Sequence, residues 1–145
     1  MGLSINVKRE KLNRMEFLVN YLKDNNNIEV LDLSNNNIGN TGVKNITKLL
    51  ESNKAIKEIN ISDNNITTKG LNHLCSALSY NSSVLKLDIT RNPIPWGSNK
   101  VLLALLVKNP IINQIKYSKY DEKGKEYSKS IEQVDVEDLS IHEDR

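Results

Sequence analysis

The sequence predicts an α/β fold in which strand–helix units stack as a right-handed solenoid, with a parallel sheet on the concave face and helices on the convex face. Two observations predict it. Apolar and asparagine positions recur with a period of 28 residues, and each copy continues into a second apolar pattern with helical spacing. The chain has 145 residues, of which 38% are hydrophobic, which is too many for a disordered chain.

The first half of each copy has the pattern of a short strand followed by a turn. Apolar residues stand at alternate positions, which predicts a strand with one buried side, and an asparagine and an isoleucine follow in step. The columns are Leu31, Ile59, Leu87 and Ile115; Leu33, Ile61, Ile89 and Tyr117; Asn36, Asn64 and Asn92; and Ile38, Ile66 and Ile94. Leu3 and Ile5 fall in the same columns one period earlier, so the chain begins with a degenerate copy.

The second half of each copy predicts a helix of about three turns. Its apolar residues are three, four and seven positions apart, which places them on one face of a helix. They are Met15, Leu18 and Leu22; Val43, Ile46 and Leu50; Leu71, Leu74 and Leu78; and Leu102 and Leu106. Asparagine-rich or proline-marked segments, such as 24–27 and Asn109-Pro110, predict where the helices end.

These motifs resemble the leucine-rich repeat family. Ile28-x-x-Leu31-x-Leu33-x-x-Asn36-x-Ile38 is similar to the family's strand and turn. The repeat length, with Gly42 and Gly70 opening the helical half, is similar to the ribonuclease-inhibitor-like, intracellular subclass. We expect a repeat domain over 1–117: a degenerate capping repeat (1–27), three repeats (28–55, 56–83 and 84–111) and a last strand (112–117).

The remaining segment, 118–145, breaks the period and is acidic. It carries nine acidic and five basic residues, against nine acidic and fifteen basic in 1–117. We expect an acidic C-terminal cap or a partly disordered tail, in which Val134, Val136, Leu139 and Ile141 could add a strand to the last edge of the sheet. The alternative is that the same alternating stretch adds as a strand to another protein.

The asparagine column has a structural interpretation. The resemblance implies a ladder in which Asn36, Asn64 and Asn92 satisfy backbone groups of adjacent turns. We therefore expect Asn64→Ala to cost about 1–3 kcal/mol of stability. Asn65→Ala, one position out of register, is expected to cost under about 0.5 kcal/mol.

Binding residues are expected where the fold leaves positions free. Side chains alternate across a strand, so Asp32, Glu58, Asn60, Lys86, Asp88 and Lys116 should point to the concave face, as should the row Ser34, Ser62, Thr90 and Ser118. The alternative is a solvated face on which Glu58 and Lys86 pair. The predicted face projects to about 300 Å², whereas a standard interface needs about 800 Å² per partner.

A second candidate binding site is the stretch from Arg91 to Trp96. Two prolines, Pro93 and Pro95, stiffen this loop, and Trp and Arg are the residue types most enriched at interface hot spots. The alternative is that Trp96 packs over the end of the third helix, beside Ser98 in the glycine column.

The sequence offers little to support catalysis. The two histidines, His73 and His142, have no partners at ligand spacing, and Cys75 falls on the apolar side of its helix. We therefore predict no enzyme, no metal and no cofactor. The modest, dispersed positive charge argues against nucleic-acid binding, and no apolar run is long enough to span a membrane. The expected state is a monomer with weak self-association between its acidic tail and basic body.

The leading hypothesis is a non-catalytic, cytoplasmic module that binds another protein. One variant is a bacterial effector acting in host cytoplasm, suggested by the Asn- and Lys-rich composition. A rival is a cytoskeletal regulator, because the stretch from Gly97 through Lys108-Asn109 to Ile115-Lys116-Tyr117 resembles the last repeat of the tropomodulin actin-capping family. A third hypothesis, a regulator of a small GTPase, rests on analogy with the subclass.

Overall fold

The computed structural model describes residues 2–4, 13–95 and 97–133. Strands and helices alternate along most of the chain, and the last two strands follow each other directly. The elements are β1 (Gly2–Ser4), α1 (Asn13–Leu22), β2 (Val30–Asp32), α2 (Gly39–Ser52), β3 (Glu58–Asn60), α3 (Thr68–Leu78), β4 (Lys86–Asp88), α4 (Asn99–Lys108), β5 (Gln114–Tyr120) and β6 (Glu126–Glu132).

All described strands form one sheet in the order β1-β2-β3-β4-β5-β6. The first five are parallel, and each residue faces its equivalent one repeat later: Leu31 pairs with Ile59, and Ile59 with Leu87. Because the apolar columns stand opposite one another, each buried side chain contacts the same column in the neighbouring copies. The predicted parallel α/β architecture is confirmed, and its right-handed sense stays a prediction.

The helices cover one side of the sheet. Their apolar faces and the inward strand residues form one continuous buried cluster, which includes Leu31, Ile46, Ile59, Leu74 and Leu87. No helix among the described residues has the length and hydropathy needed to cross a membrane. Burial of one side of each strand leaves the alternate residues on the uncovered side of the sheet.

Two glycines allow the turns before α2 and α3 to pack closely. A Cβ at Gly42 would overlap the side chain of Ile38, and one at Gly70 would overlap Asn40. The Asn40 side chain accepts hydrogen bonds from the backbone N–H groups of Thr67 and Gly70, at 3.0 and 3.1 Å. In these two copies glycine is therefore required by the close approach of neighbouring side chains.

The C-terminal end of the sheet is covered by an antiparallel hairpin. β5 starts at Gln114 and extends to Tyr120, beyond the strand expected at 112–117, and β6 returns along its whole length. The Asp121 side chain accepts the N–H groups of Lys123 and Lys125, and Gly124 has a φ of +80°. The strand that covers β5 thus comes from 126–132. The alternating residues 134–141, for which an added strand is expected, lie outside the described residues.

The turns that follow the strands contain non-glycine residues with left-handed backbone conformations. Asn35, Asn37, Asp63, Asn65 and Arg91 have φ between +52° and +61°. Asparagine and aspartate tolerate this region better than other non-glycine residues because their short polar side chains bond locally. This conformation raises the cost expected for Asn65→Ala, because alanine must adopt a left-handed conformation there, which costs about 1 kcal/mol.

Candidate functional site

The uncovered side of the sheet forms a shallow depression of about 240 Å³. Its side chains come from β2 to β5, and each strand contributes the residues that alternate with its buried ones. We call this surface the open sheet face; its polar members are Asp32, Glu58, Asn60, Lys86, Asp88, Gln114 and Lys116. The strand residues Asp32, Glu58, Asn60, Lys86, Asp88 and Lys116, proposed from the sequence as binding residues, are thus brought together on one surface.

An ion pair lies across the centre of the open sheet face. Lys86 Nζ is 3.9 Å from Glu58 Oε1, and both side chains are about half exposed, at 53% and 46%. An exposed pair of this kind contributes roughly 0–1 kcal/mol because water and salt screen it. It therefore adds little to folding and keeps both charges accessible to a partner.

The residues of the row Asp32, Asn60 and Asp88 line the open sheet face, and each also forms a hydrogen bond that stabilises its own turn. In each case one side-chain oxygen accepts the backbone N–H two residues later, at 2.9–3.0 Å. This hydrogen bond favours the end of the strand, because it gives the backbone N–H a partner within the turn in place of one in the sheet. The depression is lined by three acidic residues, and two of them, Asp32 and Asp88, belong to this row.

The row Ser34, Ser62, Thr90 and Ser118 differs from the expected free surface. Ser62 and Thr90 are only 2% and 6% exposed, and the Thr90 hydroxyl donates to Asp88 Oδ1 at 2.7 Å. The Ser118 hydroxyl accepts the Arg91 N–H at 2.7 Å. The expectation that this whole row faces a partner is wrong, because β2, β3 and β4 end before it and Ser62 and Thr90 are buried, whereas Ser118 lies within β5.

The hairpin extends the open sheet face beyond the repeats. Lys116 stands opposite Ser130 and Gln114 opposite Glu132, and directly opposed residues of an antiparallel pair share a face. The Gln114 side-chain amide donates to Glu132 Oε1 at 2.5 Å. The 28-residue period does not extend to this hairpin, although the strand-like residues on both sides of Asp121-Glu122-Lys123-Gly124 are a hairpin pattern.

A second depression, of about 250 Å³, lies along the turns at the carboxyl ends of the strands. It is lined by Asn35, Asn37, Asp63, Asn65, Arg91 and Pro93, which we call the turn row. Arg91 is exposed and occupies the left-handed position that Asn35 and Asp63 hold in earlier copies. Trp96, the other residue proposed for this loop, lies outside the described residues.

The asparagine column forms the expected ladder. Asn64 is fully buried, and its side-chain oxygen accepts the N–H groups of Asn36 and Ile38 at 2.8 and 3.2 Å. Its amide donates to the carbonyls of Leu33 and Ser62. Asn92 repeats the arrangement one copy later. We call Asn36, Asn64 and Asn92 the strand-end asparagines, and they serve the fold.

Sequence inspection missed a second buried asparagine column, although it has the same period. Asn53, Asn81 and Asn109 follow the helices; we call them the helix-end asparagines. The Asn53 amide donates to the carbonyls of Leu22 and Asn25, at 2.8 and 3.0 Å. Asn81 donates to Leu50, and Asn109 to Leu78 and Asn81. These contacts connect the end of each helix to the preceding copy.

The described residues show no arrangement suited to nucleophilic or metal chemistry. Cys75 is buried, and loss of solvent raises the pKa of its thiol to about 12, so the thiolate is scarce at neutral pH. His73 is exposed on the helical side. Within 2–4, 13–95 and 97–133, no three His, Cys, Asp or Glu residues are grouped as metal ligands.

Comparison with known proteins agrees with the repeat geometry. A family model described as "Leucine Rich repeat" matches residues 24–46 and 52–75, which include β2 and β3 with parts of α2 and α3. These two stretches of the chain therefore match leucine-rich repeats. A search of curated proteins finds no match.

Solved structures share the arrangement of these leucine-rich repeats. Leiomodin-1 actin-binding site 2 superimposes with a TM-score of 0.72 and 22% identity, over 83% of this chain and 72% of that one. The tropomodulin C-terminal domain of Caenorhabditis elegans gives a TM-score of 0.72 and 18% identity, over 85% and 76%. Identities this low show a common fold.

Proposed function

We propose that this protein is a non-catalytic module that acts inside a cell and binds another protein through the open sheet face and the adjoining turn row. The observation that carries the proposal is the open sheet face itself, where charged side chains of both signs come from successive strands. Fold requirements account for the inward residues and for the asparagine columns, but they do not require Glu58, Lys86 or Lys116.

The size of the surface indicates how a partner would contact it. With β6 and the longer β5 included, the sheet part projects to roughly 400 Å². A standard interface needs about 800 Å² on each side. The turn row lies next to the carboxyl ends of the same strands, so a partner that contacts both surfaces approaches the standard size.

Arg91 supports a role for the turn row. It is held at φ +56°, in a region where arginine has no local side-chain bond of the kind that favours asparagine or aspartate. The two equivalent positions in earlier copies are Asn35 and Asp63, which suit the conformation. A less suitable residue retained at an exposed position is consistent with contact to a partner.

A charge swap tests the proposal without altering the ion pair. The double variant E58K/K86E keeps two opposite charges on the same strands, so its melting temperature should stay within about 2 °C of the parent. Binding that depends on the charge pattern should nevertheless fall at least tenfold. The matched control is E29K/K57E, which exchanges the ion pair that has an Nζ–Oε1 distance of 3.4 Å and lies outside the depression.

Actin is the first partner to measure. The likeness to leiomodin-1 actin-binding site 2 and to a tropomodulin domain extends over more than four fifths of this chain. Co-sedimentation with actin filaments and the rate of pyrene-actin assembly, each with the parent and both swapped variants, give the readout. We expect an effect from the parent and the control, and loss of that effect in E58K/K86E.

Two outcomes would count against these proposals. No effect of the parent chain on actin would remove actin as the partner. Equal binding of a captured protein by the parent and E58K/K86E would exclude the open sheet face as its binding site. The effector and GTPase-regulator hypotheses stay predictions from the sequence, and the comparisons add nothing in favour of either.

A further inference from the structure

The repeat part of the open sheet face is longer across the strands than along them. β2, β3 and β4 are each three residues long, which corresponds to about 10 Å. From β2 to β5 there are three strand spacings, which amount to about 14 Å. A helix with its side chains is about 10–12 Å across, so one helix laid across the strands matches the width of this surface.

The charges along one row of this surface follow a fixed order. The register places four residues side by side, one from each strand: Asp32, Asn60, Asp88 and Lys116. From β2 to β5 the row is therefore acidic, neutral, acidic and basic. Among the described residues, no lysine or arginine forms an ion pair with Asp32 or Asp88, whereas Glu58 pairs with Lys86. A cation from a partner can thus meet either aspartate without displacing a lysine.

Both aspartates are held in position within the free protein. Asp32 Oδ1 accepts the Ser34 N–H at 2.9 Å. Asp88 Oδ1 accepts the Thr90 N–H at 3.0 Å and the Thr90 hydroxyl at 2.7 Å. Both aspartates are partly exposed. A carboxylate whose position is already fixed loses little conformational entropy when a cation binds it.

We propose, building on the proposed function of this face, that the partner segment it binds is a helix with two basic residues seven positions apart. Asp32 and Asp88 are two strand spacings apart, or about 10 Å. Seven residues of helix rise about 10.5 Å and complete two turns, so both basic side chains lie on the same side. Same-side residues of an extended chain are about 7 or 13 Å apart, and neither spacing matches.

Lys116 sets the direction of that helix. It lies one strand beyond Asp88 and about 14 Å from Asp32. The residue eleven positions after the first basic one is on the same side of the helix, about 16 Å along it, and the lysine side chain is long enough to cover the difference. An acidic residue at that position meets Lys116. The positive N-terminal end of the helix then lies over the acidic β2, and its negative end over the basic β5.

A designed peptide tests the proposal with no need to identify the partner. The probe is an alanine- and glutamine-based helix of about 20 residues, with arginine, arginine and glutamate at the derived spacing. Titrated to about 2 mM into the isotope-labelled full chain, it should shift the backbone amide resonances of β2–β5, with a Kd of about 0.1–1 mM. The control probe exchanges arginine for glutamate and glutamate for arginine, and it should bind at least about fivefold more weakly.

A parent chain that binds neither probe, or binds both equally, would overturn the proposal. So would equal binding of a probe in which three alanines between the charged residues are replaced by glycine. Glycine lowers the helix content and leaves the order of charges unchanged, so this probe tests the helical spacing alone.

Asp32→Asn combined with Asp88→Asn removes the two charges and keeps the turns. Asn60 makes the same bond in this row, to the Ser62 N–H at 3.0 Å, so the melting temperature should stay within about 2 °C of the parent. Affinity for the probe should fall at least about fivefold. The matched control is Asp24→Asn, which removes an exposed carboxylate outside the depression. Unchanged affinity in the double variant would contradict the proposed contacts.

The direction of the helix has its own test. Lys116→Glu should weaken binding of the probe, because it opposes the probe's glutamate. A probe with arginine in place of that glutamate should bind Lys116→Glu more tightly than the original probe does. The absence of such rescue would exclude the assigned direction.

Failure of this proposal is distinguishable from failure of the proposed function. If the probe does not bind but E58K/K86E loses a protein that the parent captures, the face binds a partner and the helical motif is wrong. If E58K/K86E captures that protein as well as the parent does, the face itself is excluded, whatever the probe does.

Discussion

The turns that follow the strands and the turns that follow the helices are both held by buried asparagines, but the two columns bond differently. A strand-end asparagine such as Asn64 uses its oxygen and its amide to reach the preceding copy. A helix-end asparagine such as Asn81 reaches the preceding copy with its amide and bonds its own turn with its oxygen, through Ser83 and Val84 N–H.

The difference shows where each column acts. Loss of a strand-end side chain removes partners from two N–H groups and a carbonyl in another copy, at the centre of the stack. Loss of a helix-end side chain removes partners mainly from its own turn, where the Ser83 N–H is only part-buried, and from one carbonyl at the end of the preceding helix. Strand-end asparagines should therefore couple neighbouring copies more strongly.

The largest expected effect is that of Asn64→Ala. It removes the acceptor of the Asn36 and Ile38 N–H groups and one of the two side-chain amides that donate to the Leu33 carbonyl, and the site is fully buried. Urea unfolding should show a loss of about 1–3 kcal/mol. A loss below that of Asn81→Ala would contradict the difference between the two columns.

Asn81→Ala should have the next largest effect. The Leu50 carbonyl and the N–H groups of Ser83 and Val84 lose their bonds, and of these groups only the part-buried Ser83 N–H is within reach of water. We expect about 1–2 kcal/mol in the same measurement. Amide hydrogen exchange should rise in 82–85, whereas Asn64→Ala should raise it in the preceding copy, at 36–38.

Substitutions of Asn65 separate the effect of backbone conformation on stability from the effect of hydrogen bonding. Asn65 is exposed, its φ is +61°, and its amide lies 3.4 Å from Asn37 Oδ1. Asn65→Ala should cost about 1 kcal/mol because alanine disfavours this conformation. Asn65→Gly should stay within about 0.5 kcal/mol of the parent. Equal melting temperatures for the alanine and glycine variants would show that the left-handed conformation carries no cost.

The smallest expected effect has the opposite sign. Arg91→Asn places at φ +56° the residue type that the first copy uses at Asn35. Thermal unfolding should shift upward by about 1–2 °C, a gain of roughly 0.5 kcal/mol. If the turn row contacts a partner, the same variant should bind it more weakly; a variant that is both less stable and unchanged in binding would refute the reasoning on Arg91.

The period of the sequence predicted much of the fold because equivalent residues pack in the same way in every copy. The facing columns Leu31, Ile59 and Leu87 follow from it directly. The period did not predict the hairpin, because residues after Tyr117 have no equivalent in earlier copies. Ser62 and Thr90 were misplaced since alternation holds only within a strand, and these strands are three residues long.

The alternation of buried and exposed residues along each strand predicted the open sheet face. It did not predict which side-chain atoms on that face are already hydrogen-bonded to the backbone. Asp32 and Asp88 each use one oxygen for the adjacent turn, and this requires the exact path of the backbone after the strand. The left-handed conformations of Asn65 and Arg91 were likewise hidden, because asparagine is common in many kinds of turn.

The buried asparagines also imply an order in which the copies complete their folding during synthesis. The side chains of Asn64, Asn92 and the helix-end asparagines donate to the copy that precedes them in the chain, as Asn92 does to Ile61 and Asn109 to Leu78. Ribosomes synthesise a protein from its N-terminus, so a newly made copy lacks these donors until about one further repeat has emerged. Every copy is therefore completed by the next, and the final repeat is completed by the hairpin, where the Tyr120 hydroxyl donates to the Asn92 carbonyl.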